Sequence, residues 1–367
     1  MRFVFPANAL HRLRRDARAA ALPATLTLVA GTLGGLACHA LGIPAPWISG
    51  ALIAVTVLAL CGAPTRVPDP IRFCAFLVLG CSMGTAISPD MLARAATWPV
   101  SMALLALSVV AVVLGVTAFL CWIARWPFET AFYASIPGAL SAVMAMAATS
   151  GADMRKVALG QSLRLFVLVA ALPHLIGASG VGHGTIAVPA HETDWPQVAL
   201  MLAVSLATGM AAARARVPGG LLVGALAGSA VLHGTGLVDA QLPDALLVPS
   251  FIILGAGVGM RFEGTRLADL RASALAALAA VLVALAISGA FALLAAWLTG
   301  DEIGKLVMAF APGALETMSV LGFALGFDPA FMSAHHIFRF ASLSIAMPLA
   351  AHLLFSAGRG RKGGRKG

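Results

Sequence analysis

Ile136-Pro137-Gly138-Ala139-Leu140 interrupts an apolar run at 130–149, and Ala311-Pro312-Gly313-Ala314-Leu315-Glu316 interrupts a second at 306–325. Proline removes a backbone donor and glycine is a poor helix former, so neither run can stay helical through its centre. In hydrocarbon, backbone freed in this way survives only where protein buries it or a wet cavity solvates it. Both segments are therefore expected to be broken or re-entrant helices, the alternative being two extra full spans.

The rest of the chain sets that expectation in a membrane. Of 367 residues, 60% are hydrophobic and 11% charged, with a mean hydropathy of +0.94. A soluble domain is roughly one-quarter charged, so the polar side chains needed to cover a core of this size are missing. The net charge is +9 and the pI about 10.2. The basic residues lie at the chain ends and between apolar runs, with no aromatic-interleaved basic face, which argues against nucleic acid as a partner. The fold class is an all-α integral membrane protein, with membrane lipid as its first partner. Stretches near the ~20 residues that cross the hydrocarbon core fall at 22–42, 45–62, 70–88, 98–122, 156–178, 196–213, 218–234, 245–260, 273–298 and 330–356, giving about ten transmembrane helices.

With a cytoplasmic N-terminus, ten spans and two re-entrant segments place Arg12, Arg14, Arg15, Arg18, Arg66, Arg72, Arg125, Arg155 and Lys156 inside. The second half adds Arg214, Arg216, Arg261, Arg266, Arg271 and the tail from Arg359 to Lys366, leaving Arg94 and Lys305 outside. This is the positive-inside bias. Twelve spans would move Arg155 and Lys156 outside and bring the linker with Glu192 and Asp194 inside. The organisation is a basic cytoplasmic N-terminus (1–21), a membrane repeat (22–178), an extracytoplasmic linker (179–195), a second repeat (196–356) and a basic cytoplasmic tail (357–367). The basic start resembles a signal peptide. The run continues into Ile43-Pro44-Ala45-Pro46-Trp47, however, and has a later counterpart, so a retained first span is expected.

The two halves match at a nearly constant offset. Pro44 and Gly50-Ala51-Leu52 recur 174 residues later as Pro218 and Gly224-Ala225-Leu226. At 175, Leu79-Gly80 becomes Leu254-Gly255, Gly84 becomes Gly259, and Pro137-Gly138-Ala139-Leu140 becomes Pro312-Gly313-Ala314-Leu315. Gly151, Asp153, Arg164 and Pro173 recur as Gly326, Asp328, Arg339 and Pro348. With five spans per half the second copy enters the membrane in the opposite sense. Such an inverted repeat is common among secondary transporters, whose sites lie where broken helices of the two halves meet. Gly80/Gly84 and Gly255/Gly259 have the spacing that lets helices pack closely.

At Gly42-Ile43-Pro44-Ala45-Pro46-Trp47-Ile48-Ser49-Gly50, at the two Pro-Gly segments and at His335-His336-Ile337-Phe338-Arg339, the chain resembles the AbrB-type membrane protein family over about 22–356. Members have a duplicated membrane domain and carry labels such as regulator of gene expression and ammonia monooxygenase. The duplicated organisation is similar to that of antiporter-like transporters, an analogy at the level of fold. The resemblance implies a multi-pass protein of the bacterial inner (plasma) membrane.

A few polar residues fall where charge is expensive. A central Arg costs roughly 2.5–3.5 kcal/mol on insertion scales, so Arg164 and Arg339 need partners. They either face an anionic substrate or satisfy carbonyls freed at the Pro-Gly breaks. Glu316, one turn after the second break, stands where the first half has Ser141. It is a candidate proton-coupling carboxylate or the counter-ion of Arg339. His335 and His336 precede Arg339 on one helical flank, and their counterparts are Gly160 and Gln161. The candidate substrate and coupling residues are thus Pro137, Gly138, Ser141, Gln161, Arg164, Pro312, Gly313, Glu316, His335, His336 and Arg339. Asp153 and Asp328 fit turn or helix-capping roles, and Trp47, Trp98, Trp122 and Trp126 fit interfacial anchoring.

Five single cysteines form no C-x-x-C pair, and no phosphate-binding G-x-x-x-x-G-K-[ST] loop is present. Apart from His335-His336 the nine histidines are scattered. No catalytic residue, metal site or cofactor is expected. The function expected is a secondary transporter or permease moving a small polar or anionic solute by alternating access, with a proton or cation as coupling partner and a possible homo-oligomer. The alternatives are a membrane-bound regulator of gene expression and a monooxygenase-like membrane enzyme.

Overall fold

A computed structural model of the chain describes residues 7–85, 98–138, 140–178 and 194–362, and all regular structure among them is helical. The first half runs α1 (Ala7–Ala40), α2 (Pro46–Leu60), α3 (Asp69–Thr85), α4 (Trp98–Trp122), α5 (Phe128–Ser135), α6 (Leu140–Ala148) and α7 (Met154–Ala178). The second runs α8 (Trp195–Arg214), α9 (Gly220–Gly234), α10 (Asp244–Gly259), α11 (Leu267–Thr299), α12 (Ile303–Phe310), α13 (Leu315–Ala324) and α14 (Pro329–Lys362), with one 3₁₀ turn at Met260–Phe262. The linker 179–193, Arg94, residues 363–367 and the side chains of Ser141 and the N-terminal arginines lie outside the described residues. Helix α14 continues to Lys362, so the basic tail begins as helix.

Among the described residues, six helical segments are long and apolar enough to cross a membrane: Ala21–Ala40, Trp98–Trp122, Met154–Gly177, Trp195–Arg214, Asp244–Phe262 and Ala268–Thr299. Their outward faces carry Leu114, Leu282 and Leu293, each more than 60% exposed, an apolar coat suited to lipid rather than water. Helices α2 and α9 have 15 residues each, about 22 Å at 1.5 Å per residue, short of the ~30 Å hydrocarbon core. Each starts on a left-handed residue, Ala45 (φ 49°) or Gly219 (φ 62°).

The helices sort into two bundles, each drawn from both halves. One holds α1–α3 and α8–α10, the other α4–α7 and α11–α14. The first closes on glycines at helix crossings. A Cβ on Gly80 would strike the Leu222 carbonyl of α9, and one on Gly255 the Ile48 carbonyl of α2. Leu222 follows Ile48 by the same 174 residues that separate the repeats. The bundles meet through α7, where Ser49 Oγ donates to Val169 O at 3.2 Å. The largest apolar cluster joins Leu52, Leu79 and Leu226 of one bundle to Leu168, Phe310 and Phe331 of the other.

Both Pro-Gly segments break their helices. Helix α5 ends at Ile136 in extended geometry (ψ 121°) and α12 at Ala311 (ψ 128°), with Gly138 at φ +88°. Of the tryptophans expected at interfaces, Trp122 is exposed, whereas Trp126 is buried under Lys156 and Trp98 packs edge-on against Phe331.

Candidate functional site

The two breaks meet inside the second bundle. The place a Cβ on Gly138 would take lies 3.5 Å from the carbonyl oxygen of Gly313. Pro137, Pro312 and Gly313 are buried around this contact. A helix that stops there leaves its last carbonyls without intrahelical partners, and side chains from the following helices supply donors. Gln161 Nε2 donates to Tyr133 O (3.2 Å) and Ile136 O (2.9 Å). Arg164 Nη2 donates to Ile136 O (2.8 Å) and to Gln161 Oε1 (2.5 Å), while Nη1 reaches Ala134 O and Ser135 O at 3.4 Å each. In the second half Arg339 Nη1 donates to Ala311 O and Nη2 to Gly313 O (2.6 Å). Both arginines are about 95% buried or more. A cation at a helix C-terminus also complements the dipole there.

These contacts direct both arginines at backbone, the second of the two roles their sequence positions allow. Each half brings one buried guanidinium to its break, so the crossing gathers positive charge from both halves. Glu316 is not placed as the counter-ion of Arg339: among the described residues no ion pair involves either. It stands half-buried in the first turn of α13, where the helix dipole favours an acid. The cations acting on it are Arg261 and Arg72. Its Cγ lies 3.7 Å from the place a Cβ on Gly219 would take at the start of α9, so the stem of this side chain lies against the opposite bundle.

The two histidines part company. His335 Nε2 lies 2.8 Å from Ser101 Oγ and Nδ1 2.9 Å from Phe331 O, with its ring stacked on Phe331, and it fastens α14 to α4. His336 is fully buried and neither ring nitrogen has a hydrogen-bond partner. Asp153 Oδ1 accepts from the amides of Arg155 and Lys156, and Asp328 Oδ1 from those of Ala330 and Phe331, so both cap helices. Among the described residues no group of three or more His, Cys, Asp or Glu side chains could hold a metal ion.

Sequence reasoning missed a cavity of about 580 Å³ between the bundles, at the starts of α2, α10 and α14. Trp47, Phe251, Phe323, Phe327, Asp244 and Asp328 line it. A signal lay in the Ile43–Trp47 motif, which marked the repeat, the family resemblance and an interfacial anchor but was not read as a cavity wall. At the far end of α2 the bundles close instead, on an apolar cluster of Ala59, Leu159, Leu163, Phe262 and Ala277.

The family described as Transition state regulatory protein AbrB matches residues 47–355. A protein of Escherichia coli (strain K12) that bears a regulator name, AbrB, is 28% identical over 342 residues, covering 88% of this chain and 93% of its own. An uncharacterized protein of Bacillus subtilis (strain 168), YhjN, is 25% identical over 349 residues, covering 88% and 90%.

Proposed function

The chain belongs to the AbrB family, and from that premise we propose a secondary transporter of the inner membrane that moves a small polar solute by alternating access. The observation that carries this reading is the meeting of the two Pro-Gly breaks, Gly138 against Gly313, inside one bundle. Broken helices meeting in a bundle interior are the architecture of transport sites, because freed backbone there can be satisfied by side chains, ions or solute in turn. The reciprocal crossings of Gly80 on α9 and Gly255 on α2 support an inverted repeat of five spans per half, ten in all. In that arrangement α5/α6 and α12/α13 are re-entrant hairpins and both termini are cytoplasmic.

The bundle interface supports a one-sided state: a cavity beside Pro46, at one end of α2, and an apolar closure around Ala59, near the other. Rocking one bundle on the other would exchange the open and closed ends. Glu316, whose side-chain stem lies against Gly219 of the neighbouring bundle, is the coupling residue in this reading, and a proton or cation its partner.

Cysteine accessibility tests the cycle without knowledge of the solute. On a cysteine-free background, Val248→Cys in the cavity should react with a membrane-impermeant maleimide from the periplasmic side. Leu159→Cys in the closure should react from the cytoplasmic side only, slowly, as the minor state is visited. Labelling of both from one face, or none at 159 under any condition, removes the alternating-access reading. The regulator name of the Escherichia coli relative favours a second reading, a membrane-bound regulator. It predicts transcript changes on gene deletion that a variant locked against transport still corrects.

A further inference from the structure

The chain carries 24 Lys and Arg against 15 Asp and Glu, yet among the described residues no Lys or Arg lines the 580 Å³ cavity between the bundles. The ionisable groups among the described lining residues are Asp244, Asp328 and His39. Asp244 is exposed in the first turn of α10. Asp328 is held at the head of α14 by the amides of Ala330 (2.8 Å) and Phe331 (3.1 Å), both on Oδ1. Three helices begin at the cavity wall, and their N-terminal dipoles, each about half a positive charge, offset part of this field. Two full negative charges exceed them. The arginines that would suit an anion, Arg164 and Arg339, lie outside the lining and are bonded to backbone carbonyls.

The remaining wall is mostly apolar and aromatic, with Ser82, Thr85 and Gln241 as uncharged polar groups. Trp47, Phe251, Phe323 and Phe327 face the same space, with Trp47 stacked on His39 at 5.3 Å. Aromatic faces attract cations through their quadrupole, most strongly where water is excluded. A cavity of this volume matches an organic molecule rather than a bare ion, and a negative cleft between low-dielectric walls concentrates cations from solution.

We propose that this cavity binds an organic ammonium ion with an apolar body, its charge toward Asp244 and Asp328 and its body against the aromatic wall. The proposal rests on reading the cavity as the open vestibule of a transporter, and it replaces an anionic solute with a cationic one as the cargo.

The test is calorimetric binding to the full chain in lipid nanodiscs, with three water-soluble probes that share a phenyl group: benzyltrimethylammonium, benzenesulfonate and benzyl alcohol. The ammonium probe should bind at least about tenfold tighter than the other two. Asp244→Asn should weaken it about tenfold, and Val248→Trp, which fills the cavity without touching a charge, should abolish it. Asp69→Asn, an exposed acid outside the cavity, should change nothing. Equal or tighter binding of the sulfonate, binding indifferent to Asp244→Asn, or no binding of the ammonium probe would overturn the proposal. The maleimide labelling of Val248→Cys and Leu159→Cys separates the two readings. Alternating labelling without ammonium binding discards the ligand class and keeps the transporter. Ammonium binding without alternating labelling keeps the site and discards transport.

Discussion

Arg339→Met and Arg164→Met should destabilise the protein by similar amounts, because each removes two short hydrogen bonds at a helix break. At the second break Arg339 is the side-chain donor, on Ala311 O and Gly313 O. His336, at the position equivalent to Gln161, donates nothing there. A hydrogen bond to a charged group contributes about 1.5–3 kcal/mol, so losing two costs about 3–6 kcal/mol. Valued instead as average polar contacts between membrane helices, ~0.6 kcal/mol each, the pair is worth ~1 kcal/mol. At the first break Gln161 stays on Tyr133 O and Ile136 O after Arg164 is removed. Of the three carbonyl oxygens that Arg164 reaches, two are distant, at 3.4 Å, which leaves the bonds to Ile136 O (2.8 Å) and Gln161 Oε1 (2.5 Å) as the main loss. Ala311 O likewise keeps the Gly313 amide after Arg339 is removed, so on either valuation both variants differ from the parent by about the same amount. Denaturation of purified protein in mixed SDS micelles, followed by far-UV circular dichroism, reads the difference. Adding His336→Gln to Arg339→Met should recover part of the loss, because a glutamine there could donate to the break as Gln161 does. No measurable loss for either variant, losses that differ more than about threefold, or no recovery in the double variant would refute the capping argument.

Gly255→Val should abolish the folded monomer in size-exclusion chromatography, since its Cβ meets the Ile48 carbonyl, whereas Gly257→Val, with nothing within 4 Å, should elute as the parent does. His335→Ala and Ser101→Ala should show a coupling of about 0.5–1.5 kcal/mol in a double-mutant cycle of unfolding, because they share the 2.8 Å bond that joins α14 to α4. Glu316→Gln, which cannot carry a proton, should retain solute exchange in proteoliposomes and lose accumulation driven by an ion gradient; unchanged accumulation would remove Glu316 from coupling. Hydrogen exchange followed by mass spectrometry should show faster exchange at 303–324 than at 128–148, since the second break has fewer donors on its carbonyls.

The elements were legible because their signals are local. Apolar run length placed α4 at 98–122 and α9 at 218–234, against Trp98–Trp122 and Gly220–Gly234. Pro-Gly marked both breaks, and Asp153 and Asp328 were readable as caps from their place before a helix. The bundles were not legible, since Gly80 meets Leu222 and Gly255 meets Ile48 across the boundary between the two halves. The repeat offset shows which residues correspond but not which ones touch. For the same reason the surroundings of Glu316 escaped: Arg72 and Arg261, which act on it, belong to other segments. The arginines show a different limit. Sequence gives the cost of a buried guanidinium, and that cost is met equally well by a carbonyl or by a solute.

The differences between the halves bear more directly on mechanism than their likeness. A pair of breaks that served only as scaffold would be held alike. Here the first is held by Gln161 and Arg164 together, and the second by Arg339 while His336 stays unbonded. The second half also places Glu316 where the first has Ser141, and the stem of that side chain lies against the neighbouring bundle at Gly219. The break with fewer fasteners is therefore the one that touches the other bundle through an ionisable group. Movement between bundles and a change of charge at Glu316 would then act on the same short helix, α13, whose far end at Phe323 and Ala324 forms part of the cavity wall. A ten-residue helix with Glu316 in its first turn and the cavity at its last would join the two events mechanically.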